Sequence, residues 1–559
     1  MGAIVDPSQL PSATRARFAV LFTIVSLLAF GVGEEAAPFF NRDQTGTNAL
    51  YNGALSMLAV LGAGTLYYLF HSLVRSRSFG KCQTLERGDA LESAILEICK
   101  RFSLNPPVLL VDNDIRNYDA IAFGFPWRKV ILMGRGLRLL YRKSPQEFNA
   151  RLAHELGHIR NGDIATTFLA EGLVVAGLTF LTLFYLHELL SFVATLVNGW
   201  HQWSAAGDSF VRFLADWAFW ISRAVVAMLG NTLIAGLWAL VLLSEHRSFL
   251  RLREFYADIA SARAFGPKAL KETLGGDQPN PPWYARFLAA HPTVQWRKSV
   301  IDRPALLYEP TVARLARLGY VVGMLIAVFG TIHDLPDVDA RGSMVVFLKL
   351  AFTTIPGAII LVILMTVTLP PAIAIGSLVF RTAAWIELDQ RPFTEKALKC
   401  LKAVAALVAT IWCGLLINPI NLAQIIRNPS FAVTRIVDWR ADAALVLITA
   451  LQLVVALPLG SLIIRRLLTA PKETPPRTTT WFFLGVSFYL SIAYIGGGFG
   501  ELLDPSVPDW LTGIVVLLYM FALSSPWLLM CYLIARRSLK FELLPTSCLA
   551  PWVCYTQKL

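Results

Sequence analysis

Long apolar runs separated by short charged stretches dominate the chain, and two of them open it. The first, residues 18–33, follows Arg15 and Arg17; the second, 49–73, is long enough to cross a bilayer as a helix. The first run is short enough for a signal peptide. No small-residue cleavage site follows it, which favours an anchor. Beyond residue 74 the pattern changes. Residues 90–102 have helical periodicity, and 107–111, 120–123 and 129–133 are apolar runs of strand length. Ser144, Pro145 and Glu147 then occupy the N-cap, N1 and N3 positions of a predicted helix, as a capping box does. Membrane-type runs resume at about 164–197 and 217–243, joined by a tryptophan-rich loop of little charge. Six more follow at about 315–332, 350–380, 403–420, 443–464, 481–499 and 510–534. The run at 350–380 contains Pro370-Pro371 and is expected to kink or tilt.

Composition agrees with this reading. Only 16% of the 559 residues are charged and 55% are hydrophobic, too little charge for a soluble chain of this length. The basic excess, 50 Lys and Arg against 38 acids, sits mostly at the ends of apolar runs. It therefore reports topology and membrane lipid as the surroundings, and predicts no nucleic-acid partner. Glu34, Glu35 and Asp43 face Arg42 alone in the first connection, whereas Arg75, Arg77, Lys81 and Arg87 follow the second run. The N-terminus and the segment after residue 74 are thus predicted to be cytoplasmic, and about ten spans bring the C-terminus back to that side. The loop around Arg427, Arg435 and Arg440 is the misfit in this alternation. Seven cysteines without a C-x-x-C pair argue against a disulfide scaffold and against a cysteine-bound metal. The predicted fold is an α-helical polytopic membrane protein with a small cytoplasmic α+β domain. Two N-terminal helices occupy 1–73. The soluble domain occupies 74–310, interrupted by two membrane helices at about 164–245. A C-terminal membrane domain occupies 311–559.

The candidate chemistry lies in RLAHELGHIRNGD, residues 151–163. His154, Glu155 and His158 form H-E-x-x-H. On a helix the two imidazoles lie one turn apart, as two ligands of a single Zn²⁺ require, and Glu155 can take a proton from water at the open position. A third ligand must come from elsewhere. Glu171 is thirteen residues beyond His158, about 20 Å along the axis if the helix continues, and is too far. Glu254 and Asp258, in REFYAD, lie one turn apart and suit a ligand carboxylate beside one that orients a ligand imidazole; Glu245 is the rival ligand. The strand at 120–123 is either scaffold or an edge on which an extended substrate could pair. Glu171, His187, Glu188 and Arg223 lie in apolar runs, where charges are functional candidates by default.

HELGHIRNGD, then REFYAD, then His291-Pro292 with Arg297 together resemble the membrane metallopeptidase family of the HtpX heat-shock protease and the type I CAAX prenyl endopeptidase. The resemblance covers roughly 75–300. It implies one Zn²⁺ per chain held by His154, His158 and Glu254, with Glu155 as general base. It further implies that His291 and Arg297 hold the substrate or polarise its carbonyl. Asp119 and Ala120 fall where the family carries an asparagine that contacts substrate, and an aspartate anion there cannot donate that bond. The implied activity is peptide-bond hydrolysis on a protein or peptide substrate, in membrane-protein quality control or in processing of a peptide or lipidated substrate. The implied place is the inner membrane of a bacterium, with the site on the cytoplasmic side. The C-terminal spans lie outside the resemblance, and a transporter, channel or sensor regulated by the peptidase is the alternative reading.

Overall fold

The computed structural model describes residues 13–35, 46–78, 82–85, 90–112, 120–125, 128–206, 210–275, 282, 289–333, 377–378, 381–389 and 391–416. The first two apolar runs are helices α1 (Ala13–Glu35) and α2 (Gly46–Ser78). The next pair are α6 (Asp163–Ala206) and α7 (Phe210–Phe265), and α10 (Val312–His333) and α11 (Phe393–Leu416) come later in the chain. Five stretches among the described residues are long and apolar enough to cross a membrane: Thr14–Gly33, Asn52–His71, Asp163–His201, Met228–Phe265 and Phe393–Leu415. Helix α1 is the central one. It packs on α2, α6, α7 and α10, and its Leu21, Ile24, Val25 and Leu28 are buried. An apolar helix buried on all sides belongs inside a bundle. The outer helices keep large apolar side chains exposed, among them Leu66, Phe70 and Leu233 at 68%, 69% and 69%. Water would penalise such surfaces, whereas lipid does not.

Several sequence expectations shift at the ends of these elements. The tryptophan-rich loop expected after residue 197 is mostly helical, since α6 runs to Ala206 and α7 begins at Phe210. Helix α7 then runs unbroken from an apolar beginning through Glu245–Arg253 into REFYAD; no proline interrupts 210–265. Helix α11 covers the expected span at 403–420 up to Leu416 but starts ten residues earlier. Lys396, Lys399 and Lys402, expected in a loop, are good helix formers and extend its N-terminal part. Most of the expected span at 350–380, and those at 443–464, 481–499 and 510–534, lie outside the described residues.

The soluble unit is a four-stranded sheet with helices packed on it. Its strands β1 (Gln83–Thr84), β2 (Val108–Asp112), β3 (Ala120–Phe125) and β4 (Arg128–Gly134) lie in the order β1-β2-β4-β3. β2 and β4 are parallel, and the other two pairs are antiparallel. Central β4 buries Val130, Ile131, Leu132 and Met133 in succession, as a strand covered on both faces does. Helix α3 (Ala90–Arg101) packs Leu91, Ile95 and Ile98 into the same core. Helix α5 (Pro145–Asn161) adds Phe148, Leu152, Leu156 and Ile159, spaced by three or four residues. β3 is an edge strand.

The expected capping box is not made. Helix α4 (Arg135–Lys143) abuts α5 with Ser144 alone between them, and the Ser144 N–H closes α4 by donating to Leu140 O. The Ser144 hydroxyl makes no cap bond, and Glu147 pairs with Arg151 at 3.0 Å. At its other end α5 stops at Gly162, whose φ of 71° is left-handed and whose N–H returns to His158 O and Ile159 O. Helix α5, which carries H-E-x-x-H, therefore does not run on into the next apolar helix: α6 starts afresh at Asp163, removing the straight-helix premise on which Glu171 was excluded.

Candidate active site

The apolar stripe of α5 that enters the core turns its other side, with His154 and His158, towards α7. Small residues let the two helices approach. A Cβ on Gly157 would lie 3.1 Å from Ala257 Cα and 3.2 Å from Ala260 Cβ, tight contacts on the facing helix. Ser261 Oγ locks the register by donating to Ala150 O at 2.7 Å. This places the REFYAD turn of α7 over the two histidines.

His154, His158 and Glu254 each offer a ligand atom, all within 4.8 Å of one another. His154 Nε2 is 3.4 Å from Glu254 Oε2, and His158 Nε2 is 3.6 Å from Glu254 Oε1. Ligands held tetrahedrally at about 2.05 Å from an ion stand about 3.3 Å apart, so this donor set fits a small divalent metal with little adjustment. Glu245, the rival ligand, lies elsewhere, bound to Arg17 at 2.5 Å. Glu171 is not in the cluster.

Each histidine has a carboxylate at its other nitrogen. His154 Nδ1 lies 2.9 Å from Asp258 Oδ1, and His158 Nδ1 lies 3.5 Å from Asp163 Oδ2. A proton on each Nδ1 leaves both Nε2 lone pairs directed at the metal position. Burial opposes charge on His154, but hydrogen bonds to Asp258 and Glu254 outweigh it and push the imidazole up to about 10. Asp258 is fully buried and carries a second partner, because Arg297 Nε and Nη2 donate to its Oδ2 and Oδ1 at 2.7 and 2.6 Å. Burial disfavours the guanidinium charge, and the Asp258 bonds reverse this, holding Arg297 above the usual arginine value. Arg297 was expected to hold the substrate or polarise its carbonyl; here its planar fork engages the carboxylate behind His154.

Beyond the short helix α8 (Pro267–Thr273), Arg297 belongs to α9 (Val294–Asp302), which Thr293 caps by accepting from Trp296 N. The preceding loop is tied to α7 by Arg251, which donates to Ala289 O at 2.9 Å. That loop brings His291 Nδ1 to 3.4 Å from Glu254 Oε2, with 71% of the His291 side chain exposed. Glu155 turns towards the sheet, where its Oε2 accepts from the Ala122 N–H of β3 at 3.0 Å. In an antiparallel ladder alternate residues point their backbone groups away from the partner strand, so Ala120 presents its N–H and C=O in the same outward direction as Ala122. Asp119 lies outside the described residues. Of the charges in the apolar runs, Glu188 accepts from Asn231 of α7 at 3.0 Å, a bond between helices, while the side chain of Arg223 lies outside the described residues.

Three neighbours carried no role in the sequence reading. Asp163 faces His158, Arg253 Nη2 donates to Glu254 Oε1 at 3.0 Å, and Gly157 permits the close crossing. A glycine inside a strongly patterned helix was the one available signal for the last of these.

Residues 86–305 match the model of Peptidase family M48. The chain is 29% identical over 259 residues to "Protease HtpX" of Chromohalobacter salexigens, a match covering 46% of this chain and 77% of that protein. It is 28% identical over 257 residues to "Protease HtpX" of Pseudomonas savastanoi pv. phaseolicola, covering 45% and 77%. With "Protease HtpX" of Acinetobacter baumannii (strain AYE) it shares 28% over 189 residues, covering 33% and 54%. No solved structure matches. Family, relatives and donor set agree on the class: a metalloprotease. The part that resembles M48 metallopeptidases, residues 86–305, is combined with apolar helices long enough to cross a membrane.

Proposed function

We propose that this protein is a zinc-dependent endopeptidase embedded in the membrane, cutting peptide bonds at the cytoplasmic surface. The observation that carries this reading is the His154–His158–Glu254 cluster, with Glu155 bonded to the edge strand beside it. One Zn²⁺ per chain would be held by those three side chains, supplying Lewis-acid polarisation of a carbonyl and acidification of a water. Glu155 takes the proton of the attacking water and later gives it to the leaving amine. His291, mostly exposed beside Glu254, donates to the oxyanion as it develops. Asp258 and Asp163 hold the two imidazoles in the tautomer that binds metal, and Arg297 holds Asp258. Substrate lies extended along β3 and pairs with the outward backbone groups of Ala120 without reference to side chains. Such recognition suits quality control of membrane proteins, or processing of a peptide or lipidated substrate, at a domain spanning about 74–310.

Purified full-length protein should contain about one zinc per chain, as a site with three protein ligands does. Chelation should abolish cleavage of an unfolded protein substrate, and zinc should restore it; full cleavage by metal-free protein would remove the proposal. His291→Ala should lower turnover about a hundredfold with zinc retained, as loss of an oxyanion donor does. Parent turnover in that variant would take His291 out of the mechanism. For sidedness, Arg160→Cys at the exposed end of α5 should resist a membrane-impermeant thiol reagent in sealed cells and react after lysis. Labelling before lysis would reverse the orientation.

A further inference from the structure

A second polar centre lies where the membrane helices meet the soluble unit, and it is unbalanced in charge. Arg17 of α1 and Arg317 of α10 both pair with Glu245 of α7, at 2.5 and 3.5 Å. Arg314, at the start of α10, donates to the backbone oxygens of Leu307 and Glu309 at 3.3 and 3.2 Å. Arg381, from the helical segment 381–388, donates to Leu307 O and stacks over the Tyr308 ring at 5.5 Å. Among the described residues, Glu245 is the one carboxylate paired with these four guanidinium groups. The carbonyls position Arg314 and Arg381 but neutralise neither.

Three of the four arginines line one cleft of about 320 Å³, its open mouth included. Arg17, Arg314 and Arg381 share it with Ser377, and apolar side chains such as Val20 and Leu318 add to its wall; among the described residues no carboxylate lines it. Arg381 and Ser377 are only 4% and 1% exposed, yet Arg381 Nε and Ser377 Oγ have no partner among the described residues. Buried donors left unmade are costly, and buried like charges without a counter-ion more so. A cleft that gathers both beside an aliphatic wall is built for an anion carrying an apolar part. Guanidinium forks match phosphate oxygens, and basic pockets between membrane helices on the cytoplasmic side take phospholipid headgroups.

We propose that this cleft is a phosphate-binding site, filled in the membrane by the headgroup of an acidic phospholipid. The phosphate would neutralise Arg314 and Arg381 and accept from Ser377, while Val20 and Leu318 cover the glycerol and acyl portion. Glu245 and Glu254 lie nine residues apart on unbroken α7, about 14 Å, so the occupant would fix the helix that also carries a candidate metal ligand.

The test uses the full-length protein in bilayer discs of phosphatidylcholine, alone or mixed with phosphatidylglycerol. Acidic lipid should raise the melting temperature of the parent protein. Arg314→Gln and Arg381→Gln should each remove most of that rise, binding the lipid about tenfold more weakly for a lost charge-assisted contact. Arg135→Gln, exposed on α4, should keep it in full. Inorganic phosphate added to phosphatidylcholine discs separates the sources. A rise that the same variants abolish supports the phosphate site with a soluble occupant; no rise assigns the lipid. Should the arginine variants fail to fold, mass spectrometry of the intact parent complex decides. Phosphatidylglycerol should survive detergent exchange that strips phosphatidylcholine, and loss of both lipids at equal rates would overturn the proposal. A full lipid-dependent rise in Arg314→Gln and Arg381→Gln, or its equal loss in Arg135→Gln, would overturn it as well.

Discussion

Glu155→Gln should lower peptide-bond cleavage about a thousandfold while the protein folds and keeps its metal, as removal of a general base does. The substitution is nearly isosteric, and a glutamine carbonyl can still accept from the Ala122 N–H that the Glu155 carboxylate engages at 3.0 Å. No ligand atom is lost, because Glu155 is not in the His154–His158–Glu254 cluster. What disappears is the ability to take a proton from water and deliver it to the amine, which an amide at neutral pH cannot do. Zinc content, melting temperature and turnover measured on one preparation separate these effects. Zinc content falling together with turnover would make Glu155 a ligand or a structural residue. A variant that stays folded, loaded and inactive would also retain its substrates, and their capture from native membranes would decide between quality control and dedicated processing.

Much of this arrangement was legible in the sequence because it is local. The strands at 107–111, 120–123 and 129–133 appear within a residue or two as β2, β3 and β4, since each is a short apolar run of strand length. The two histidines are one turn apart on α5 because helical spacing alone fixes that relation. Boundaries were less legible where two elements compete for one residue. Ser144 has the composition of an N-cap, but α4 ends on the same residue and claims its backbone, so side-chain chemistry alone misjudged it. Gly162 could have been recognised as a stop by Asn-Gly-Asp, yet the apolar run behind it suggested continuation. Least legible were pairings across the fold. Nothing near residue 297 shows that its partner is Asp258, or near residue 163 that its carboxylate returns to His158, because long-range contacts leave no periodicity.

Arg297→Ala should weaken metal binding tenfold to a hundredfold and lower turnover along with it. Support behind a ligand imidazole has that effect, whereas an oxyanion donor would change turnover alone. The argument runs through Asp258, which is fully buried and balanced by two bonds from Arg297 and one contact with His154 Nδ1. Removing the guanidinium leaves a buried carboxylate with one of its three contacts, a change that costs about 3–5 kcal/mol where a buried pair is broken. Asp258 can respond by taking a proton, and it then no longer orients the His154 Nδ1–H, so the Nε2 lone pair is less well aimed at the ion. Arg297→Lys keeps the charge but not the fork that reaches Oδ1 and Oδ2 together, and should fall between the parent and Arg297→Ala in metal affinity. Asp258→Asn should resemble Arg297→Ala, and the double variant should cost much less than the two added, because both act through one contact. Zinc affinity measured by competition with a chelator, beside turnover at saturating zinc, makes the separation. Unchanged zinc affinity in Arg297→Ala, with turnover lost at saturating metal, would return the arginine to the substrate carbonyl.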